Sequence, residues 1–587
     1  MAAGTGGGPA ASEAEQDGSA HPRRPPVQGW EAAAVALILA AQAGALIHLA
    51  WRTGVTVDEP SHLLSAHLYW QGRDNLKPRD MPPAIKIAGG WVPGLLGGLP
   101  IPYENKEIMD EGHEWPISLA MMELLGKRTP WTFFCSRLPL LAFPLLTLLL
   151  LWWWARQILS PATAVILALL FALEPTALGH GALFKNDLAS TFGYLLFWYR
   201  AWRFWRDPGW RSALWLGAGL LAAVLTKLSM LVLIPIAPAV VAARYATLRP
   251  LRWRAAALAL VMVLLVPYIG SLAACQFDTR RLRPENLAEY AGDPSIPPSF
   301  LAAANVFRVL PYPKLLFDGA ISILQSNSGG SRIYVWGRTF EDATPVYFLL
   351  ALAVKMPVAL QALLIAGAIL EWLAVRGGSY RYDRLFWVVP GFLYGGLASL
   401  STLQLGVRLI LPALPFGLLI AGSAVECLGR GWRRLVLLIL LMGLAFETAR
   451  IYPHNISFFN LWVGTPERGA WYLTDSNIDW GQDLRDLAPI IEQFQMKRLL
   501  LSYFGTDDVW SKLSDQIVEP LAPPWSDELA RGTVYKPEPG YYAISVSLLP
   551  GNQFAPKYRD YYKVFRESSP VARAGHSIYV YKFDLQK

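Results

Sequence analysis

Two adjacent carboxylates, Asp58 and Glu59, directly follow a long apolar segment that ends near Trp51. At the end of a membrane helix, a carboxylate can meet water, a metal ion or a hydroxyl group while it stays next to lipid. Asp58 is therefore a candidate general base that takes a proton from a hydroxyl group. The alternative is a helix start, in which Asp58 caps a helix running through Pro60 and the helix dipole favours Glu59. Both interpretations can hold together.

Further ionisable side chains lie at the ends of later apolar segments. Asp187 begins one such segment, where it either joins Asp58 in an acidic cluster or caps the helix. Lys227 lies between two short apolar segments, which is unfavourable unless its ammonium group has a partner or a task. The alternative for Lys227 is to extend to the membrane interface. Lys86 and Arg408 are second candidates, with ordinary interfacial anchoring as their alternative.

Two histidines accompany these acids. His62 lies about one helical turn after Asp58, and His180 shortly precedes the segment that begins at Asp187. With the carboxylates, these histidines are weak candidates for zinc or manganese ligands, because the sequence shows no tight ligand spacing. A hydrogen-bonded polar histidine is the better-supported interpretation of each. A divalent metal ion stays an open alternative, and no cofactor is demanded.

The composition of the chain indicates a membrane protein. Of its 587 residues, 53% are hydrophobic, and the mean hydropathy of +0.30 is too high for a soluble protein of this length. The apolar residues fall in long runs, and about 20 such residues span a bilayer as a helix. The net charge of +8 does not indicate a nucleic-acid partner, because the basic residues cluster in short loops between the apolar runs.

The pattern predicts about eleven membrane helices. They lie over residues 31–49, 131–154, 161–179, 188–204, 213–225, 230–243, 255–273, 346–372, 385–401, 409–428 and 435–449. The fifth and sixth are short for two spans, and we expect a helical hairpin with residues 226–229 at its tip.

Arginine placement gives these segments an orientation. Arg23 and Arg24 precede the first segment, and arginine-rich loops then follow every second segment. The positive-inside rule puts this face and the N-terminus in the cytoplasm. The opposite face then receives the loop over residues 275–345 and the ionisable residues Asp58, Glu59, His180, Lys185, Asp187, Lys227 and Arg408.

The chain divides into three predicted parts. Residues 1–29 are rich in Ala, Gly, Ser and Pro and form a disordered cytoplasmic tail. Residues 30–451 form a transmembrane domain with extracytoplasmic loops over 52–129 and 275–345. Residues 452–587 form a small extracytoplasmic α/β domain. This domain is expected to contain an amphipathic helix over 481–496, capped by Asp479, and strands over 498–505, 541–549 and 577–583.

Several stretches together resemble one family. Asp58-Glu59 follows the first segment, residues 174–180 and 184–187 precede the fourth, and residues 225–229 lie at the hairpin tip. This set resembles the GT-C membrane glycosyltransferases, specifically the family-39-like group that includes protein O-mannosyltransferases and the lipid A aminoarabinose transferase. Other similar stretches are Met81-Pro82-Pro83-Ala84-Ile85-Lys86, Gly337-Arg338, Lys355-Met356-Pro357, Gly406-Val407-Arg408 and, in a subset of the group, residues 475–483. Met81 departs from the pattern, since such proteins often carry His or Lys there.

The resemblance implies an α-helical polytopic membrane fold of the GT-C type with a small C-terminal α/β domain. It also implies an activity, the inverting transfer of a sugar from a polyprenyl-phosphate carrier to an acceptor hydroxyl on the extracytoplasmic face. The lipid tail of the donor would lie in the bilayer, which we expect to be a bacterial inner membrane. The absence of a phosphate-binding glycine loop agrees with nucleotide-sugar chemistry taking place elsewhere.

The same resemblance suggests roles for the candidate residues. Asp58 would be the base, Glu59 would orient the acceptor or bind a metal ion, and Asp187 would complete an acidic site. The leaving lipid phosphate gains negative charge, and positive groups would stabilise it. The candidates for this task are Lys227 and, as second choices, Lys86 and Arg408.

Two other functions fit parts of the sequence. A transporter or flippase of a lipid-linked sugar would place ionisable residues near the membrane midplane, often in internal repeats. Here the acids cluster at segment ends, and no two-half repeat is evident. A non-catalytic member of the same fold is the second alternative. Within the enzyme interpretation the acceptor stays open between a protein, a glycan and a lipid.

Overall fold

The computed structural model describes residues 26–584, apart from residues 78–80, 249, 251, 331 and 379–381. Residues 1–25, which make up most of the predicted N-terminal tail, lie outside the described residues. Helices dominate the chain as far as Ile451, and a small sheet follows near the C-terminus.

A long helix overlaps each of the eleven apolar segments that the sequence predicts. These helices are Gly29–Arg52, Ala142–Ile158, Pro161–Ala172, Asp187–Arg206, Trp210–Thr226, Leu233–Ala246, Trp253–Ala274, Val358–Arg376, Leu385–Leu400, Leu414–Leu428 and Arg434–Ile451. In the described part of the chain, six helical stretches are long and apolar enough to cross a membrane, or seven with one bent pair. The protein is an integral membrane protein, and the predicted fold class of a polytopic helical protein with a C-terminal α/β region is confirmed.

The bent pair consists of Pro161–Ala172 and Pro175–Gly181, which meet at an angle of 60°. Glu174 caps the second helix, since its Oε2 accepts the backbone N–H of Ala177 at 2.5 Å. The two prolines suit these positions because each lies at a helix start, where an N–H has no helical partner.

Another predicted segment, 346–372, is two helices rather than one. Tyr347–Lys355 ends before Pro357, and Val358–Arg376 begins after it. Proline lacks the N–H that would continue the first helix and forces an extended residue before it. The N–H of Val358 is satisfied by Oε2 of Glu447 at 2.9 Å.

A close helix pair brings two of the candidate residues together. Helix Asp187–Arg206 packs along helix Trp210–Thr226, and a Cβ added to Gly193 would approach the backbone of the facing helix to 2.9 Å. Only glycine permits this approach. The pair therefore holds Asp187, at the start of one helix, near Lys227, directly after the other.

Shorter elements fill the connections between the long helices. The α-helices among them are Glu59–Trp70, Pro83–Gly89, Val92–Leu95, Lys106–Glu111, Glu114–Leu125, Thr129–Arg137, Pro284–Ala291, Pro298–Ala304 and Lys314–Gly329. The 3₁₀ helices before residue 452 are Gly126–Arg128, Leu138–Leu141, Leu228–Val232, Asn305–Arg308, Tyr382–Arg384, Val407–Ala413 and Gly431–Arg433. Two antiparallel strand pairs are Thr279–Arg280 with Tyr312–Pro313 and Ile333–Val335 with Arg338–Phe340.

A five-stranded mixed sheet forms the centre of the C-terminal region. In spatial order its strands are Val518–Pro520, Leu499–Ser502, Gly540–Ser545, Ile578–Phe583 and Ala572–Ala574. The first three strands run parallel, and the remaining two pairings are antiparallel. The three strands predicted from the sequence overlap members of this sheet. Short α-helices in this region are Pro466–Gly469, Leu487–Gln493 and Lys563–Glu567.

The predicted amphipathic helix over 481–496 is wrong in its first half. The α-helix covers only Leu487–Gln493, after the short 3₁₀ helix Leu484–Asp486. Gly481 has a φ of +83°, a left-handed conformation that stops a helix there. Asp479 does not cap the helix, because its carboxylate instead accepts the backbone N–H of Ser547 at 3.0 Å.

Candidate active site

Asp58 lies in a cluster of ionisable side chains. Its Oδ2 accepts a hydrogen bond from Lys185 Nζ at 2.6 Å, and Nη2 of Arg408 lies 3.7 Å from the same oxygen. The side chain of Asp58 is 30% exposed, whereas those of Lys185 and Arg408 are 4% and 9% exposed. An incoming molecule can therefore reach Asp58 more easily than the two cations that hold it.

Arg408 also contacts the second predicted carboxylate. Its Nη1 lies 3.6 Å from Oδ2 of Asp187, and Lys227 Nζ donates a hydrogen bond to Oδ1 of Asp187 at 3.0 Å. The side chain of Asp187 is completely buried. The structure thus joins four of the candidate residues, Asp58, Asp187, Lys227 and Arg408, in one cluster.

Neither aspartate caps its helix through its side chain. Asp58 precedes helix Glu59–Trp70, but its carboxylate makes no capping hydrogen bond. Asp187 is the first residue of its helix, and Asn186 occupies the cap position. Both carboxylates pair with cations instead, so the capping interpretation does not account for their placement.

Lys227 and Arg408, the two cations that contact Asp187, lie at breaks between helices. Lys227 is an extended residue, with φ −158° and ψ 134°, between helices Trp210–Thr226 and Leu228–Val232. Arg408 lies at the start of helix Val407–Ala413, directly after Gly406, whose φ of +136° favours glycine. Both side chains thus project from short breaks between helical segments.

The five paired side chains Asp58, Asp187, Lys185, Lys227 and Arg408 carry three positive and two negative formal charges, and the carboxyl of Asp475 also faces Arg408. Burial by itself would raise the pKa of Asp58, but the charges of Lys185 and Arg408 outweigh burial and lower that pKa to about 2. Asp58 is therefore ionised at neutral pH. The three cations Lys185, Lys227 and Arg408 suit an anionic ligand such as a phosphate group.

Glu59 lies apart from this cluster and is completely buried. Its carboxylate accepts hydrogen bonds from Arg137 Nε at 2.8 Å and Nη2 at 2.5 Å. It also accepts the backbone N–H groups of Thr56 at 2.9 Å and Phe184 at 2.7 Å. These contacts tie the loop that carries Asp58 to two other parts of the chain.

Lys86 forms a different ion pair. It is 1% exposed, and its Nζ donates to Oδ2 of Asp74. Its backbone carbonyl accepts the indole N–H of Trp70 at 2.8 Å. Lys86 thus pairs with Asp74 in the first loop and not with a carboxylate of the Asp58 cluster.

The predicted metal ligands His62 and His180 are buried, and Nδ1 of each has no hydrogen-bond partner within the described chain. Neither belongs to a group of three potential ligands. Among the residues that the structure describes, the only such group is His454, Asp483 and Asp486. A divalent ion beside Asp58 would face the positive charges of Lys185 and Arg408, so that cluster does not fit a metal ion.

Some contacting residues escaped the sequence analysis. Arg137 lies within the predicted segment 131–154, and an arginine in such a segment indicates a buried partner. Trp480 belongs to the run 475–483, for which the sequence predicts no role, and its ring centroid lies 4.2 Å from Cζ of Arg408. Lys185 was expected on the same face as Asp58, but its sequence position did not identify Asp58 as its partner.

The structure contains an apolar cavity of 520 Å³, and its lining includes residues that are next to the cluster in sequence. Residues of helices Tyr347–Lys355, Val358–Arg376, Leu385–Leu400 and Leu414–Leu428 line it. Val407, the neighbour of Arg408, belongs to the same lining. The size and apolar character of this cavity suit a hydrocarbon chain.

The chain is similar to a described family over part of its length. Residues 113–269 match the family model of the dolichyl-phosphate-mannose-protein mannosyltransferases. This stretch resembles that family. It contains Lys185, Asp187 and Lys227, and the match agrees with the resemblance that the sequence motifs indicate. Asp58 and Arg408 lie outside the matched residues.

Solved structures give more distant similarities. ArnT from Cupriavidus metallidurans, bound to undecaprenyl phosphate, is 16% identical with a TM-score of 0.44, over 94% of this chain and 97% of ArnT. AglB from Archaeoglobus fulgidus, with an inhibitory peptide and a dolichol-phosphate, is 12% identical with a TM-score of 0.42, over 88% of this chain and 69% of AglB. Such TM-scores do not establish a common fold. No curated protein matches the chain.

Proposed function

We propose that the protein is an inverting glycosyltransferase that moves a sugar from a polyprenyl-phosphate carrier to an acceptor hydroxyl. The observation that carries this proposal is the reachable carboxylate of Asp58 beside two cations, Lys185 and Arg408. Arg408 also contacts Asp187, the partner of a third cation, Lys227. The base can take the proton of the attacking hydroxyl group, and the nearby cations can stabilise the leaving phosphate. The match to a mannosyltransferase family over residues 113–269 supports the same reaction class.

In this reaction the acceptor oxygen attacks the anomeric carbon of the sugar from the side opposite the phosphate. Asp58 takes the hydroxyl proton as the new carbon–oxygen bond forms. The bond between the anomeric carbon and the phosphate oxygen breaks, and polyprenyl phosphate leaves with an additional negative charge. Lys227 and Arg408 stabilise that charge, since both already lie beside the carboxylates of the cluster.

Asp58 is a weak base as long as both Lys185 and Arg408 hold its carboxylate. A bound donor phosphate competes for these cations, because it offers them a second anionic partner. Its negative charge also raises the pKa of the neighbouring carboxylate. Donor binding would therefore make Asp58 a better base at the moment when the acceptor arrives.

The apolar cavity beside Val407 is the proposed site of the first isoprene units of the donor. A hydrocarbon chain in that cavity would place its phosphate near Arg408, the next residue along the chain. Glu59 is buried and fully paired, which supports a role in positioning the Asp58 loop rather than in contacting the acceptor.

The orientation of the protein is part of the proposal. We place the N-terminus in the cytoplasm and the cluster, with the C-terminal region, on the extracytoplasmic face of a bacterial inner membrane. The support is the arginine-rich loops that follow every second apolar segment. Reporter fusions after Pro208 and after Lys587 should report opposite sides of the membrane. The same side for both would reject this arrangement.

The activity is tested with purified protein in nanodiscs and a panel of polyprenyl-phosphate sugars labelled in the sugar. The acceptors are cell-envelope fractions enriched in protein, glycan or lipid. We expect time-dependent label in one acceptor fraction and an equal release of polyprenyl phosphate. A flippase would instead move the labelled donor between leaflets of a liposome without releasing polyprenyl phosphate, and that result would reject the transferase.

A further inference from the structure

We infer that residues 475–483 of the C-terminal region, here called the site loop, form a wall of the active site and that Trp480 is a positioning residue. Trp480 holds Lys185 and Arg408 against Asp58. This inference rests on the proposed function and assigns a task to the C-terminal region.

The indole ring of Trp480 lies against both cations that pair with Asp58. Its centroid is 5.0 Å from Lys185 Nζ and 4.2 Å from Arg408 Cζ, and Trp480 is 2% exposed. Two cations that share one carboxylate repel each other, and the negative face of an indole offsets part of that repulsion. The ring therefore stabilises the arrangement in which both cations reach Asp58.

The backbone of the site loop is attached to the segment that carries Asp58. The N–H of Val57 donates to the carbonyl of Trp480 at 3.0 Å, and the N–H of Gly54 donates to the carbonyl of Gln482 at 2.9 Å. A Cβ on Gly54 would lie 2.5 Å from that carbonyl oxygen, so only glycine permits the contact. These two bonds fix the distance between Trp480 and Asp58.

The other side of the site loop is attached to the segment that carries Arg408. Oγ of Ser476 accepts a hydrogen bond from Arg408 Nε at 3.1 Å. Oδ1 of Asn477 accepts the backbone N–H of Val407 at 3.0 Å. The site loop thus bridges two segments of the membrane domain that lie far apart in sequence.

The C-terminal sheet holds the site loop in place. Oδ2 of the buried Asp479 accepts the backbone N–H of Ser547 at 3.0 Å, just beyond strand Gly540–Ser545. Oδ1 of Asp479 accepts the N–H of Gly481 at 3.1 Å and closes the turn beside Trp480. A rigid sheet thereby supports the ring that orients the two cations.

If Trp480 positions the two cations, its aromatic ring is needed and an apolar side chain of another kind cannot replace it. Trp480→Leu removes the face and keeps an apolar side chain, whereas Trp480→Phe keeps a weaker face. In the leucine variant the cations are held less firmly, so they stabilise the charge of both Asp58 and the leaving phosphate less well. We expect kcat to fall about 3- to 30-fold in Trp480→Leu, with most of the activity retained in Trp480→Phe.

The test uses the full chain and compares the parent with Trp480→Leu, Trp480→Phe and Trp510→Leu. Trp510 is a matched control, because it lies in the same region, outside the site loop, and is 49% exposed. Three properties are measured: the melting temperature, kcat with its acid limb, and the rise in melting temperature caused by undecaprenyl phosphate. The third measurement is independent of turnover and separates this inference from the proposed function.

We expect Trp480→Leu alone to lose kcat, to shift its acid limb to higher pH and to gain less stability from undecaprenyl phosphate. A chain that transfers no sugar but shows this loss of lipid stabilisation would reject the proposed function and keep the inference. Parent values of kcat, acid limb and lipid stabilisation in a folded Trp480→Leu would overturn the inference. So would equal defects in the leucine and phenylalanine variants, or a parent chain that undecaprenyl phosphate does not stabilise.

Discussion

Lys185 donates a hydrogen bond of 2.6 Å from Nζ to Oδ2 of Asp58, across two regions that are distant in sequence. The ammonium group is almost completely buried, whereas the carboxylate is 30% exposed. The pair therefore keeps Asp58 ionised and leaves it open to an acceptor. This relationship explains how one carboxylate can be both anchored in the protein and available for proton transfer.

Removing the ammonium group should change the pH dependence of the reaction. Lys185→Met deletes a positive neighbour that lowers the pKa of Asp58, so that pKa should rise from about 2. Asp58 then takes up a proton at a higher pH, and the acid limb of kcat/KM moves upward. The measurement is the pH profile of transfer for the parent, Lys185→Met and Lys185→Arg. The arginine variant should keep an acid limb close to that of the parent, and identical limbs in all three proteins would contradict the pairing.

Lys227→Met should weaken the use of the donor. Loss of one group that stabilises the leaving phosphate costs about 10²–10³ in rate when it acts in the transition state. Lys227→Arg is the matched control, because it keeps a positive charge beside the buried carboxylate of Asp187. The test is turnover at limiting and saturating donor, together with melting curves. Parent turnover in a folded Lys227→Met protein would reassign Lys227 to a structural pairing with Asp187.

Glu59→Gln should affect folding more than chemistry. Breaking a buried ion pair destabilises a protein by about 3–5 kcal/mol, because the remaining charge loses its partner. Here Arg137 would stay buried among backbone carbonyls without the carboxylate. Thermal unfolding in detergent should show a clearly lower melting temperature.

Glu519→Gln is the control for this change, since Glu519 forms an exposed pair with Arg498 and exposed pairs contribute little. The Glu519→Gln protein should have the same melting temperature as the parent. A Glu59→Gln protein that is as stable as the parent but unable to transfer sugar would return Glu59 to a direct role in the reaction.

Much of the helical framework could be predicted from the sequence, because membrane helices leave a strong signal in hydropathy. The same reasoning placed Asp58, Asp187, Lys227 and Arg408 on one face, and the structure brings these four together. Their roles in catalysis stay predictions. The sequence pattern shows that burying each of these charges without a partner is unfavourable, but it does not show which partner each group has.

The ion pairs themselves could not be predicted from the sequence, because they form between residues that only the tertiary fold brings together. The partner of Glu59 is Arg137, 78 positions away, and no local spacing relates the two. The predicted helix over 481–496 failed for a similar reason. Its apolar periodicity was real from Leu484 onward, but Gly481 and the contacts of Trp480 bind the preceding residues to other segments.

The most direct measurement is the turnover of purified Asp58→Asn with a labelled polyprenyl-phosphate sugar. The substitution keeps the size of the side chain, and the carboxylate makes no capping hydrogen bond, so the melting curve should stay close to that of the parent. Loss of the general base should lower kcat by about 10²–10⁴. Asp58→Asn that is folded and transfers sugar at the parent rate would contradict the account and leave Asp187 as the next candidate base.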